Sequence, residues 1–216
     1  MTIRAKLVTA VTVAIAGLAL TAGVGIWGLN RLSDRFDRVQ RAADARALAL
    51  QLKFAVTDFN GWQTAYGYDN GKSRPIFLDS VAQFRRTLQL AEARLTRPAD
   101  QRLLARISRA FDDFMQLDRR AWAALQAGRT AEVKRLFLGP EIENFQRIAR
   151  AAQELATAEA ELSGRVEHEF RTAKRDVLRL LISASVIAAL LVAILIATAL
   201  DLARTAERAI GSPPAA

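Results

Sequence analysis

Asp58, Asn60, Trp62, Gln63 and Tyr66 fall within one short stretch, Asp58-Phe59-Asn60-Gly61-Trp62-Gln63-Thr64-Ala65-Tyr66, and put a carboxylate, two amides and two large rings at helical spacing. Such a set can hold a small polar ligand, the amides giving and taking hydrogen bonds and the rings supplying apolar walls. The same residues also suit a packed core, since Trp62 and Tyr66 are four apart on one helix face while Asn60 and Gln63 can be solvated. Arg46 and Lys53 lie near the seam of the same helical stretch, where a partly desolvated cation can hold a carboxylate. Glu159 falls near the seam of a later helix, although drift of that stripe would release it to solvent.

Catalytic chemistry finds little support. His168 is the only histidine, and Glu167 and Glu169 beside it point to different helix faces, so neither a metal site nor a histidine-based triad can be assembled. No glycine-rich phosphate loop occurs. Asp112-Asp113 and Glu141-Glu143 read as solvated charges and complements to helix N-termini. With no cysteine there is neither a disulfide nor a thiolate metal site. No catalytic residue, metal or cofactor is expected, and the chain is not expected to be an enzyme.

Two uncharged apolar runs decide the class of the elements around these residues. Leu7 to Leu29 and Leu180 to Leu200 are 23 and 21 residues long. At ~1.5 Å rise per residue each reaches across a hydrocarbon core of roughly 30 Å. Both read as membrane-spanning helices; the first is too long for a signal-peptide apolar region and carries an interfacial Trp27. Residues 1–6 and 201–216 then share one compartment, expected to be the cytoplasm, and residues 30–179 occupy the other. The charges near the spans are mixed in sign preference, but a long translocated domain is exported largely regardless of its charge. The expected location is the inner (plasma) membrane, two-pass, with the central domain periplasmic or extracellular. The net charge of +9 would suit an anionic ligand or acidic headgroups. Its two signs are nevertheless interspersed as on solvated helix faces, and no nucleic-acid recognition fold accompanies it.

Between the spans the pattern is helical throughout. Leu29, Leu32, Phe36, Val39, Ala43, Ala47, Leu50, Phe54, Thr57, Gly61, Ala65 and Tyr68 recur at three- and four-residue steps, predicting one long amphipathic helix to about Asp69. The turn residues Asp69 to Pro75 follow, then a helix to about Thr96 with the stripe Phe77, Val81, Phe84, Leu88, Ala91 and Leu95. Arg97-Pro98-Ala99-Asp100 breaks it. A third helix runs to Ala127 on Leu103, Ile107, Ala110, Phe114, Leu117, Ala121 and Leu125, with Gly128 as its stop. A short helix over 130–138 is expected to end at Gly139-Pro140, where the last long helix opens. Its seam, Phe145, Ile148, Ala152, Leu155, Leu162, Val166, Phe170, Ala173 and Val177, leads into the second run. Short connections predict an all-α fold: a membrane-anchored antiparallel up-down four-helix bundle whose first and last helices are continuous with the two transmembrane helices.

Helices one and four reach roughly 60 Å beyond the membrane and helix two only about 33 Å, so near the bilayer two helices per chain remain. The stripe Phe36, Val39, Val166 and Phe170 is therefore expected to be a homodimer interface. Small residues at Ala189, Ala193 and Ala197, and at Ala19 and Gly23, would permit close helix approach in lipid.

This layout, with the segment Asp58 to Tyr66 and the segment Ala127-Gly128-Arg129-Thr130-Ala131-Glu132 leading to Leu138-Gly139-Pro140, resembles the ligand-binding half of bacterial methyl-accepting chemotaxis receptors and related transmembrane sensors. The resemblance covers residues 1 to about 205. It implies signal transduction by a homodimeric periplasmic sensor domain that responds to a small molecule or protein partner and passes a small helix displacement through the second span. Such receptors continue into a HAMP linker and a cytoplasmic coiled coil, whereas only Asp201 to Ala216 follow the second run here. The expectation is either a fragment of a longer transducer or a sensor that needs a partner carrying the output domain. A membrane-anchored scaffold or adaptor that binds another protein is the alternative.

Overall fold

The computed structural model describes residues 3–210, all of them helical or in short turns, with no strand among the described residues. The helices are α1 (Ile3–Tyr68), α2 (Arg74–Arg94), α3 (Pro98–Gln126), α4 (Thr130–Leu136), a π-helical turn (Phe137–Glu141) and α5 (Ile142–Ile210). Residues 1–2 and the end of the expected tail, 211–216, lie outside the described residues. The chain divides into two units, Arg38–Glu167 and Met1–Asp37 with His168–Ala216.

In the Arg38–Glu167 unit, α1, α2, α3 and α5 share one core. Phe59 of α1 is fully buried at its centre, with ring centroids 5.0 Å from Phe84 of α2 and 5.6 and 5.1 Å from Phe111 and Phe114 of α3. Ile148, Ala152 and Leu155 supply the α5 wall. The stripe expected on α2 is buried in full, from Phe77 to Leu95. That expected on α1 is rotated. Phe54 is 67% exposed and Tyr68 86%, while the buried line runs Ala49, Leu52, Val56, Phe59, Gln63, Tyr66. The physical reason is that α1 carries two apolar lines, and burying the one with Phe59 and Tyr66 removes two whole rings from water.

Local chemistry sets the turns. Asn70 and Gly71 adopt positive φ, 54° and 90°, and a Cβ on Gly71 would stand 2.7 Å from the Trp122 ring, so glycine is required there by conformation and by space. Asp69 Oδ2 accepts from the Ser73 backbone N–H and hydroxyl at 2.9 and 2.5 Å. Pro75 and Pro98 sit in the first turns of α2 and α3, where a missing N–H removes no helical bond.

The junction expected as a helix break at Gly139-Pro140 is instead a continuous passage from α4 to α5 through the π-helical turn. An α-helix would ask Pro140 for an N–H it lacks and press its ring on the preceding turn, and a wider turn relieves both. The buried positions step Val133, Leu136, Glu141, Asn144, Ile148, with the five-residue step falling on that turn.

In the second unit α1 and α5 each carry an apolar stretch long enough to cross a membrane. Most of its large apolar residues are exposed, among them Ile15, Leu18, Ile26, Ile182, Leu190 and Ile194. Val177 fills the space a Cβ at Gly28 would need, and Leu191 faces Gly17, so the two helices pack closely on this line. Gly23 faces open space, and Ala19, Ala189, Ala193 and Ala197 are exposed, Ala189 and Ala193 in the wall of a shallow hollow shared with Ala14 and Gly17. Three hydroxyls within the apolar stretches are satisfied on their own helix: Thr12, Thr21 and Thr198 donate to Val8, Gly17 and Leu195 carbonyls, each at 2.9 Å.

Phe59→Ala should destabilise the core unit by about 3–5 kcal/mol, as large aromatic truncations in packed cores do, whereas Phe54→Ala should change stability by less than about 0.5 kcal/mol. Thermal and urea unfolding of the full chain in detergent reads both. A larger loss at Phe54 than at Phe59 would contradict the buried line on α1.

Candidate functional site

A buried polar cluster occupies the part of the core unit where α1 ends, α2 begins and α3 approaches its last turns. Asp118 has no exposed surface, and Arg74 donates to it twice, Nη1 to Oδ1 at 2.6 Å and Nη2 to Oδ2 at 2.7 Å. The Tyr66 hydroxyl donates to Oδ1, and Gln63 Nε2 reaches the same oxygen at 3.3 Å. The Arg74 guanidinium carbon lies 4.7, 4.8 and 4.9 Å from the ring centroids of Tyr66, Phe77 and Trp122, a three-sided aromatic cage. Burial, followed by the charge of Asp118, pushes the Tyr66 hydroxyl well above its ordinary range.

Beside this cluster lies a cavity of about 630 Å³, within the range of small-molecule sites. Asn60, Gln63, Thr64 and Gly67 line it from α1, Val133 and Lys134 from α4, Phe137 and Glu141 from the π-helical turn, and Phe145 and Gln146 from α5. Gly67 is needed here, because a Cβ would overlap the Phe137 ring. Glu141 is 2% exposed, and neither of its carboxylate oxygens has a hydrogen-bond partner. Burial above all, with the Asp118 charge adding and Arg74 opposing, pushes its carboxyl up to about 8. The expectation of a solvated charge holds for Glu143, which is exposed, and fails for Glu141. The proline-bearing wide turn carries Glu141 to the inner side.

The structure splits the residues expected to form one site. Gln63 is buried and lines the cavity with the half-buried Asn60, and Tyr66 is fully buried behind it on Asp118. Asp58 and the half-buried Trp62 lie instead along a shallow groove with Ile76 and Arg86 of α2. Arg46 is exposed and lines neither. Arg74 and Asp118 were not singled out in the sequence, and Glu141 was read there as a solvated charge. Asp118 carried a legible signal, an acid four residues after Phe114 and three before Ala121 on the apolar stripe of α3.

A second polar clasp sits at the α2–α3 turn. Arg97 donates to Asp100 through Nε at 2.6 Å and Nη2 at 2.9 Å, and to Glu159 Oε1 of α5 at 2.5 Å. Glu159 is therefore held in the core unit at 1% exposure and not released to solvent. Burial and the neighbouring Asp100 raise its carboxyl against the opposing pull of Arg97.

The expected interface residues fall in both units. Val39 and Val166 are half-buried in the core unit. In the other, Phe36 is 54% exposed, with its ring centroid 6.2 Å from that of Phe170. His168 is exposed beside a surface hollow shared with Trp27 and Arg31. Among the described residues no group of three His, Cys, Asp or Glu side chains could hold a metal ion.

No protein-family model matches this chain, and neither does any curated protein or solved structure. The likeness to chemotaxis receptors accordingly stands on the layout of apolar runs and helices and on the two local segments.

Glu141 gives stability a definite pH dependence. Its carboxyl ionises near 4.5 in the unfolded chain and near 8 in the folded one, so the native state holds the extra proton throughout that interval. The associated stability is fully present below 4.5 and is lost as pH rises through about 8. Glu141→Gln preserves the shape and removes the titration. Melting temperatures of variant and wild type should agree near pH 4.5 and diverge in favour of the variant as pH approaches 8. Parallel pH profiles would show that Glu141 does not titrate in this way.

Proposed function

We propose that this chain is the input module of a transmembrane sensor, similar to the ligand-binding half of bacterial chemotaxis receptors. On this reading residues 30–179 form an antiparallel up-down four-helix bundle outside the inner membrane, 7–29 and 180–200 are its spans, and the active form is a homodimer. The observation that carries the proposal is the cavity with an unpartnered, buried Glu141 in its wall, formed in part by α1 and α5, the two helices that also contain the candidate spans. A ligand there touches both helices at once, so unequal affinity for two arrangements of α1 and α5 biases their relative position. The π-helical turn supports such a role, since wide turns inside helices recur at functional positions and already relax the hydrogen-bond ladder.

Alkaline phosphatase inserted at Gly128, where added atoms meet open space, is expected to be active, and the same enzyme fused at the C-terminus inactive. The reverse pattern would make sensing outside the membrane untenable. Dimerisation is read separately. Because the chain has no cysteine, single cysteines scanned over 32–39 and 162–170 in membranes should crosslink at three- to four-residue periodicity, with Val166→Cys among the strongest. Uniformly absent crosslinks would favour an adaptor whose stripe is covered by a different protein.

A further inference from the structure

Resting on the sensor reading, we propose that the cavity beside Glu141 takes an organic cation: a primary amine on an aromatic or branched aliphatic body, its ammonium paired with the Glu141 carboxylate. Three features of the wall select this class. Glu141 is almost wholly enclosed, and both its oxygens lack donors, whereas the neighbouring buried acid, Asp118, has its oxygens taken up by Arg74, Tyr66 and Gln63. A buried carboxylate without donors is unfavourable in the empty site, and a ligand that brings N–H groups removes that penalty.

The second feature is the supply of hydrogen-bonding groups. Arg74 is engaged by Asp118 and enclosed by three rings, which leaves Lys134, exposed on α4, as the lysine or arginine among the lining residues. Gln63 gives one of its two amide N–H groups to Asp118, and its carbonyl oxygen remains as an acceptor. An anionic ligand would meet Glu141 with little compensating charge nearby; an ammonium meets acceptors. The third is the apolar part of the wall. Phe137 and Phe145 supply aromatic surface, and Ile142 and Val133 aliphatic surface, enough to enclose a ring-sized body, and ring faces attract an ammonium further.

Protonation is coupled to such binding. The groups around Glu141 are Asp118 on α3, Arg74 on α2, Tyr66 on α1 and Lys134 on α4; burial and the Asp118 charge favour the neutral carboxyl near neutral pH, and Arg74 opposes them. Pairing with an ammonium then expels one proton, so affinity rises by roughly tenfold per pH unit below about 8 and levels off above it.

The test uses the full chain in nanodiscs and three probes that share a phenylethyl body: 2-phenylethylamine, 2-phenylethanol and 3-phenylpropionate. Calorimetry should show saturable binding of the amine, with an enthalpy that varies with the ionisation heat of the buffer below about pH 8, where binding releases a proton, and that loses this variation well above it, where the carboxyl is already ionised. The alcohol and the acid should bind at least tenfold more weakly. Glu141→Gln should lose tenfold or more in amine affinity while melting at or above the wild-type temperature, and Gly164→Ala, outside the cavity and with open space for its methyl group, should bind as wild type does. Equal binding of alcohol and amine, amine binding unaltered in Glu141→Gln, or no amine binding at all would each overturn the cation assignment. If the acid binds in place of the amine, the ligand class is wrong and the sensor reading survives. That reading stands or falls on the phosphatase fusions, which are independent of any ligand.

Discussion

A carboxylate with no exposed surface amid aromatic rings is tolerable only when its oxygens are claimed, and satisfying Asp118 determines much of the architecture around it. Its donors come from the last turns of α1 (Tyr66, Gln63) and the first residue of α2 (Arg74), so one side chain of α3 ties three helices at fixed register. The bidentate fork of Arg74 fixes direction as well as distance. To deliver Arg74 from that side, the chain must reverse within Asp69–Ser73, which is where Asn70 and Gly71 enter the left-handed region and Trp122 packs over the glycine. Buried ion pairs often contribute little net stability against apolar replacements, but loss of either partner leaves an uncompensated charge inside the protein. The pair therefore specifies which arrangement forms more than it deepens the well.

The α2–α3 turn repeats the device in weaker form. Both α2 and α3 open on an Arg-Pro dipeptide, Arg74-Pro75 and Arg97-Pro98. Each proline starts a helix where an N–H is dispensable, and each arginine pairs with buried acids, Arg74 with Asp118 of α3 and Arg97 with Asp100 of α3 and Glu159 of α5. Arg97 is 41% exposed, so its clasp on Asp100 and Glu159 is partly screened by water, whereas Arg74 at 12% is largely shielded. Between the two clasps the core is apolar and ring-rich, centred on Phe59. Polar groups thus define helix ends and register, and burial of rings holds the middle.

Much of this was legible in the sequence, and the misses have physical causes. The stripe of α2 and most of that of α5 follow from three- and four-residue steps, because each helix carries one dominant apolar line. On α1 two lines compete, and only the rings of the partner helices decide between them: Phe84, Phe111 and Phe114 complete a cluster around Phe59 that Phe54 cannot join. The same rotation separates Trp62 from Tyr66. Buried positions advance from Phe59 to Gln63 to Tyr66, which leaves Trp62 at the edge. Asp118 was visible as an acid on an apolar stripe, and Glu159 as an acid near another. Glu141 was not visible, because its burial depends on a five-residue step that no regular helical period contains.

The contrast between Asp118 and Glu141 separates structure from function in this fold. Both are buried acids at the same part of the core unit. The first is fully engaged, and the helices around it are placed to make it so. The second sits where the chain abandons the α-helical ladder, beside a space that side chains do not fill, with no donor supplied to either oxygen. Stability alone would favour an apolar residue there and a filled cavity. Local rules broken together at one place, a widened turn, an open volume and an unsatisfied acid, are the pattern left where something other than folding constrains the sequence. The helices lining that space include the two with stretches long enough to cross a membrane. On the proposed sensor reading a change in what Glu141 contacts is what acts on these two helices, whereas Asp118, satisfied and tied to three helices, has no such contact to change.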